Sequence, residues 1–381
     1  RYYVDGTPNV ADAYYGGAWH TVLAGGLNAG GQGIYALDVT NPTTLNQSNA
    51  SSMVLWEFTD ADDADLGYTF SKPEIVKMKN GKWAAVFGNG YNNTTADGSV
   101  SATGHAVLYI AFINEGLDGV WTPGSDYIKI TTKKGTTATP NGLHNLAPVD
   151  IDNDFVVDYI YAGDLLGNMW KFDVTDTNPS QWEVAYGNAA TPAPLFTAKD
   201  ASNNPQPITS RPEIGKHPTS GYMVYFGTGK YLETGDVGNT DQQSFYGIWD
   251  DGAPVGGRSD LLQQSVLGTE LVTISGVSNE YRKLSKNAIN WCGTGSCHKG
   301  WFIDLPESGE RQFSGSALQN GVIGFVTNTP STATCKAGGT SWFMKLDAIT
   351  GGEPLKPVFD VNNDGLFTVA DKLAAGENAA G

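Results

Sequence analysis

Leu146-Ala-Pro148, followed at 159–163 by Tyr159-Ile-Tyr-Ala-Gly163, sets a proline and a glycine fifteen residues apart, and the chain repeats that register twice. Phe70-Ser-Lys-Pro73 leads to Trp83-Ala-Ala-Val-Phe-Gly88, and Ser210-Arg-Pro212 leads to Tyr222-Met-Val-Tyr-Phe-Gly227, with the same spacing. Each reads as a short strand after the proline, a turn, and a second strand ending at the glycine, which is a hairpin. A hairpin used three times predicts one structural unit repeated along the chain.

A second element recurs, an aromatic or apolar strand closing on an acid: Gly33-Ile-Tyr-Ala-Leu-Asp38, Gly167-Asn-Met-Trp-Lys-Phe-Asp173, Phe245-Tyr-Gly-Ile-Trp-Asp250, Gly300-Trp-Phe-Ile-Asp304 and Trp342-Phe-Met-Lys-Leu-Asp347. Large side chains alternate along each, and the aspartate can accept from backbone amides of the following turn. These strands are expected to finish the units. Small sheets repeated radially predict an all-β protein, a β-propeller. Residues 89–105, 175–208 and 252–298 read as insertions rich in Gly, Ser, Thr, Asn and Pro, the usual place for function on such a face.

In the first and third hairpins the turns are ordinary, Lys79-Asn-Gly-Lys82 and Lys216-His-Pro-Thr-Ser-Gly221. In the second, Asp150-Ile-Asp-Asn-Asp-Phe-Val-Val-Asp158 takes their place. Alternate side chains of a tight loop converge, so Asp150, Asp152, Asp154 and Asp158, with the backbone carbonyl of Val156, can offer hard oxygens to a cation that needs six to eight. Without a cation those carboxylates repel one another. The loop is expected to bind Ca2+ and to pin both strands of one unit, so that metal affinity becomes local folding stability.

Asp360-Val-Asn-Asn-Asp-Gly-Leu-Phe-Thr-Val-Ala-Asp371 fits the twelve-residue EF-hand pattern, with ligands at Asp360, Asn362, Asp364, the Leu366 carbonyl and Asp371, and with Gly365 at the sharp turn. It departs by ending on aspartate, whose shorter side chain makes bidentate coordination harder. The loop resembles that of dockerin modules, which carry two copies where this chain has one. The expected organisation is a propeller over residues 1–352 and a C-terminal extension over 353–381 that carries this second loop.

The chain has 381 residues, 48 of them glycine, and its 23 basic against 40 acidic residues give a net charge of −17. That charge opposes nucleic acid and anionic lipid as partners and suits a cation binder. No apolar run approaches the length of a membrane helix, so no membrane insertion by this segment is expected. The start at Arg1 and the small-residue tail at 374–381 read as a piece of a longer, secreted precursor whose signal peptide lies elsewhere. Cys292, Cys297 and Cys335 permit one disulfide and a leftover thiol, with the pairing open. His20, His105, His144, His217 and His298 are scattered and offer no zinc spacing. Gly30-Gly-Gln-Gly33 precedes a strand and reads as a turn, not a phosphate cradle.

Taken in order, Val4-Asp-Gly, Trp19-His-Thr-Val-Leu-Ala-Gly-Gly26, Gly31-Gln-Gly-Ile-Tyr-Ala-Leu-Asp38, Lys82-Trp-Ala-Ala-Val-Phe-Gly-Asn-Gly90, the Asp150 loop with Gly163-Asp164 and Asn168-Met-Trp-Lys-Phe-Asp173, Lys299-Gly-Trp-Phe-Ile-Asp-Leu-Pro306 with Gly309-Glu-Arg311, and the segment from Cys335 to Gly352 span almost the whole chain. Together they resemble the C-terminal propeller of the PilC/PilY family of type IV pilus biogenesis and adhesion proteins. The resemblance implies a modified seven-bladed propeller at the cell surface or pilus tip. It implies pilins or minor pilins as partners, with adhesion to host-cell or abiotic surfaces. It also implies a calcium loop matched by Asp150, Asp152, Asp154, Val156 and Asp158. Calcium-bound, such proteins support pilus extension and twitching motility; calcium-free, they permit retraction. Some members bind integrin through an Arg-Gly-Asp tripeptide; the nearest string here is Arg258-Ser-Asp260, a departure that argues against integrin binding.

Two other functions compete. Ile34-Tyr-Ala-Leu-Asp38 and Lys345-Leu-Asp-Ala-Ile-Thr-Gly351 are similar to repeats of pyrroloquinoline-quinone dehydrogenases, but those repeats are structural and the cysteines are not adjacent. A surface lectin or matrix adhesin would use exposed aromatics such as Trp121 and Tyr91 as stacking platforms. No catalytic residue is singled out, and the chain is not expected to be an enzyme.

Overall fold

The computed structural model describes residues 3–95, 97–291, 297–333 and 338–381. They form two compact units, Arg1–Leu195 and Phe196–Gly381. Of the three cysteines whose pairing the sequence leaves open, Cys292 and Cys335 lie outside the described residues. No helix among the described residues is long and apolar enough to cross a membrane.

The first unit is built from antiparallel meanders. Strands β1 (Asn9–Tyr15), β2 (Ala18–Gly26), β3 (Gly33–Asp38) and β4 (Val54–Thr59) form one sheet in chain order. A second contains β5 (Glu74–Lys77), β6 (Trp83–Gly88), β7 (Val107–Phe112) and β8 (Tyr127–Thr131), again in chain order. A third contains β9 (Leu143–Val149), β10 (Tyr159–Asp164), β11 (Asn168–Asp173) and β12 (Glu183–Val184), and β13 (Tyr186–Asn188) pairs with β14 (Thr191–Ala193) as a ribbon.

Every residue of β7 is buried, and its period-2 alternation feeds two cores. Leu108, Ile110 and Phe112 join Ala84, Val86, Ile160, Trp170 and Phe172 on one face. Val107, Tyr109 and Ala111 join Phe87, Phe58 and Trp56 on the other. An unbroken apolar run is what a strand covered on both faces requires. Each fully buried Leu, Ile or Phe contributes about 1.5–3 kcal/mol.

In the second unit a short strand β15 (Phe196–Thr197) precedes β16 (Glu213–Lys216), β17 (Tyr222–Gly227) and β18 (Ser244–Asp250). The sheet order is β16-β17-β18-β22-β19, in which β19 (Leu262–Gln264) lies parallel to β22 (Gly300–Asp304). Between them in the chain runs a two-stranded ribbon, β20 (Val266–Ile274) and β21 (Val277–Leu284). Its turn places Ser275 at φ 51° and Gly276 at φ 81°, the left-handed pair that suits a two-residue hairpin. Strands β23 (Ala317–Gln319), β24 (Val322–Pro330) and β25 (Gly339–Asp347) close the unit as a meander. Residues 353–381 pack within it: Val361, Leu373 and Ala379 cluster with Tyr281, and the Arg282 N–H donates to the Gly381 carbonyl at 2.7 Å.

The three proline-to-glycine hairpins all form, with one difference. Strands β5 and β16 follow Pro73 and Pro212, but β9 begins before Pro148 and carries it opposite Ile160. The acid-closed segments are all strands, yet β3, β11 and β18 are the third members of their sheets and not the last. Their aspartates behave as expected: Asp38 accepts from Thr40 N–H, Asp173 from Thr175, Asp250 from Gly252, and Asp347 from Ile349 and Thr350. Asp304 instead accepts from Arg258 at 2.6 Å and from Ser244 at 2.6 Å. Arg258 of the tripeptide-like string is thus paired, and it also stacks on Phe302.

Candidate metal centre

The loop between β9 and β10 is organised around its own amides. Asp150 Oδ1 accepts from Asn153 N–H at 2.7 Å and Asp154 N–H at 3.2 Å, and its Oδ2 accepts from Phe155 N–H at 2.7 Å. Asp152 accepts from Asp154 N–H at 3.2 Å, Asp154 from Val156 N–H at 2.8 Å, and Asp158 Oδ2 from Ile151 N–H at 2.9 Å. Oxygens of Asp150, Asp152 and Asp158 lie within 4.8 Å of one another. Asp154 is outside that group of three, and its Oδ2 lies 3.2 Å from Lys79 Nζ.

Lys79 also lies 3.2 Å from Asp158 Oδ1. Its hydrogen bonds to Asp158 and then Asp154 raise its pKa. In turn the Val156 N–H, followed by Lys79, holds the Asp154 carboxyl below its ordinary range. Asp158 is buried at 4% exposure, whereas Phe155 at the loop tip is 88% exposed.

The second loop repeats the amide-to-carboxylate bonds of the first over its opening positions, but closes on its twelfth residue, Asp371, where the first closes on its ninth, Asp158. Asp360 accepts from Asp364 N–H at 3.1 Å and from Gly365 N–H at 2.8 Å. Asn362 accepts from Asp364 N–H at 3.0 Å, and Asp364 from Leu366 N–H at 2.8 Å. The closing Asp371 accepts from Val361 N–H at 2.9 Å, as Asp158 does from Ile151. Asp371 also accepts from Thr368 N–H at 2.7 Å, the chief reason its carboxyl is held below the usual range. Oxygens of Asp360, Asp364 and Asp371 lie within 4.8 Å of one another, and Asn362 Nδ2 donates to Asp364 at 3.1 Å.

Both loops present oxygen donors, mostly anionic, wound to one side by left-handed residues at the same two positions: Asn153 (φ 62°) and Phe155 (φ 65°), Asn363 (φ 60°) and Gly365 (φ 82°). That donor set fits a hard divalent cation of the calcium type, and in the first loop an ammonium of the chain already stands as counter-charge. Asp150, Asp152, Asp154 and Asp158, and in the second loop Asp360, Asn362, Asp364 and Asp371, are the side chains that would hold it.

Phe155 stands where the second loop has glycine, and a left-handed conformation costs a side-chain-bearing residue about 1–2 kcal/mol. Glycine forfeits about 0.5–1 kcal/mol of chain entropy. Phe155→Gly loses no packing, so it is expected to raise the melting temperature by about 2 °C. An unchanged or lower transition in a thermal scan would contradict the strain argument.

Two features went unread at the level of sequence. Lys79 lies in the turn of the first hairpin, which reads as ordinary; its signal is a lysine at the tip equivalent to the acidic loop in the following repeat. Asp164, fully buried, accepts from Trp170 Nε1 at 2.8 Å, Asn141 Nδ2 at 2.8 Å, and Leu166 and Asn168 N–H at 2.9 Å each. Of the aromatics offered as sugar platforms, Trp121 is buried against Trp56 and Phe58 and Tyr91 is half-buried. The quinone-like repeats lie in β3 and at β25, where Asp38 and Asp347 bind turn amides.

Residues 1–272 match the family model described as the PilY1 beta-propeller domain. A type IV pilus biogenesis factor PilY1 homolog of Xylella fastidiosa is 39% identical over 374 residues, covering 94% of this chain and 24% of the relative. The type IV pilus biogenesis factor PilY1 of Pseudomonas aeruginosa is 36% identical over 402 residues, covering 96% of this chain and 32% of the relative. The chain therefore spans a third or less of the length of these relatives. The crystal structure of the Pseudomonas aeruginosa PilY1 C-terminal domain superposes with a TM-score of 0.82 at 34% identity, over 99% of this chain and 77% of that one. With the family model, the relatives and the all-β meanders in agreement, the chain belongs to the PilY1 β-propeller family.

Proposed function

We propose that this chain is the calcium-responsive propeller segment of a type IV pilus biogenesis factor, carried at the bacterial outer surface or pilus tip. There it acts with pilins or minor pilins to bias pilus extension against retraction, and so twitching motility and attachment. The pilus assignment is supported by what the relatives are named for. The calcium assignment is supported above all by the convergence of Asp150, Asp152 and Asp158 within 4.8 Å on a loop that joins two paired strands.

Such a loop converts ion concentration into strand order. Without a divalent ion, four carboxylates are balanced by one ammonium; with it, the loop closes at lower free energy and β9 and β10 are clamped together. Extracellular calcium sites commonly bind at about 0.1–1 mM, the range in which a surface protein senses its surroundings.

Calorimetric titration of the chain with calcium is expected to count two ions, one per loop. In a bacterium carrying the parent protein, chelation and disabling of the first loop are expected to shift twitching in the same direction. No bound calcium at millimolar concentration would overturn the reading. So would twitching unaffected by both treatments.

A further inference from the structure

Lys79 sits on the turn joining β5 to β6. That turn is closed by the Met78 N–H to the Lys82 carbonyl at 2.8 Å and the Gly81 N–H to the Met78 carbonyl at 2.9 Å. From there it reaches the β9–β10 loop of the neighbouring sheet, 3.2 Å from both Asp154 Oδ2 and Asp158 Oδ1. The same two segments are tied by the backbone, Val157 N–H to the Lys77 carbonyl at 3.0 Å. Lys79 is only partly exposed, and Asp158 is nearly inaccessible, so the pair is not a loose surface contact.

We propose that Lys79 is a built-in counter-ion that holds the first loop closed without metal and that calcium must displace to bind. The proposal rests on reading the loop as a calcium site. An ammonium offers three donors and one charge, and it cannot draw in the six to eight oxygens that a calcium ion collects. It can, however, relieve the repulsion among the acids at low calcium. Both cations need the same oxygens of Asp154 and Asp158, and their like charges exclude joint occupancy.

Two consequences follow from competition. Apparent affinity falls by the fraction of molecules in which Lys79 occupies the acids, so this residue sets the calcium threshold. Binding also releases the tip of the β5–β6 hairpin from the neighbouring loop, while the Val157 N–H to Lys77 carbonyl bond still ties their backbones. A local ion event thus changes how two adjacent sheets are linked. In the second loop it is Asn362 Nδ2 that donates to Asp364, and among the described residues no lysine is paired with its acids.

The test titrates calcium into the full chain in an Asp364→Ala background, so that the first loop dominates the heat. Lys79→Met keeps the stem and removes the charge; it is expected to bind calcium about three- to thirtyfold more tightly. In chelator it should melt about 2 °C lower, a deficit that calcium removes. Lys79→Arg, which retains the charge, should restore the parent affinity. Equal affinities in the parent and Lys79→Met overturn the displacement while leaving the calcium reading intact. Absence of calcium binding in both overturns the calcium reading and the displacement together, and an unchanged melting point in chelator overturns the counter-ion role by itself.

Discussion

Asp158→Ala is expected to remove calcium from the first loop, reducing the count from two ions to one and weakening the site about a hundredfold or more. Asp158 combines what the other ligands hold singly: it is the buried member of the converging group, and its second oxygen fastens the Ile151 amide that starts the loop. Removing it takes away a ligand, a charge and the closure of the loop together. The fold should survive, because the backbone bonds at this position, Asp158 N–H to Val149 and Val174 N–H to Asp158, need no side chain. Pairing of β9 with β10 is likewise a main-chain matter. Asp158→Asn keeps an oxygen and loses the charge, so it should fall between the parent and the alanine variant. Calorimetry with far-ultraviolet circular dichroism as the folding control decides the matter; an undiminished ion count in Asp158→Ala would refute the assignment of the first loop.

How much of this was readable in the chain depends on the range of the interaction. Period and spacing are local, so the hairpins at Pro73, Pro148 and Pro212 were legible, as was the doubly covered run of β7. Both acidic loops were legible for the same reason: their amide-to-carboxylate bonds span no more than about ten residues, and side-chain alternation alone predicts convergence. Sheet order was not. Spacing says that a strand ends on an aspartate but not which neighbour it acquires, so β3, β11 and β18 were expected at the ends of their sheets, whereas β3 and β11 lie one place in and β18 is the central strand of five. Pro148 was expected to precede its strand, but β9 extends across it until the loop begins. Lys79 approaches Asp154 and Asp158 from more than seventy residues away, and only the equivalence of its turn to the acidic loop of the next repeat points to such a contact.

The second large effect lies at the far end of β10, where Asp164→Ala is expected to cost about 3–5 kcal/mol. Pairing with β9 shifts register between Ala162 and Asp164, and this bulge at Gly163 turns the following side chain into the interior. There the carboxylate gathers amides of the Asp164-to-Gly167 turn, the indole of Trp170 and the side chain of Asn141. Burial pushes the carboxyl up, against the pull of the Trp170, Asn168 and Asn141 hydrogen bonds. Alanine would leave those donors without an acceptor in a dry site, which is the expensive way to lose a hydrogen bond. Asp164→Asn should be little better, since its NH2 group would face the Trp170 and Asn141 donors. A strand anchored at Asp164 and clamped at Asp158 is fixed at both ends, so calcium should recover part of the loss by mass action. Chemical denaturation with and without calcium measures both quantities. A loss below about 1 kcal/mol would show that the donors find other partners and that Asp164 does not anchor the strand.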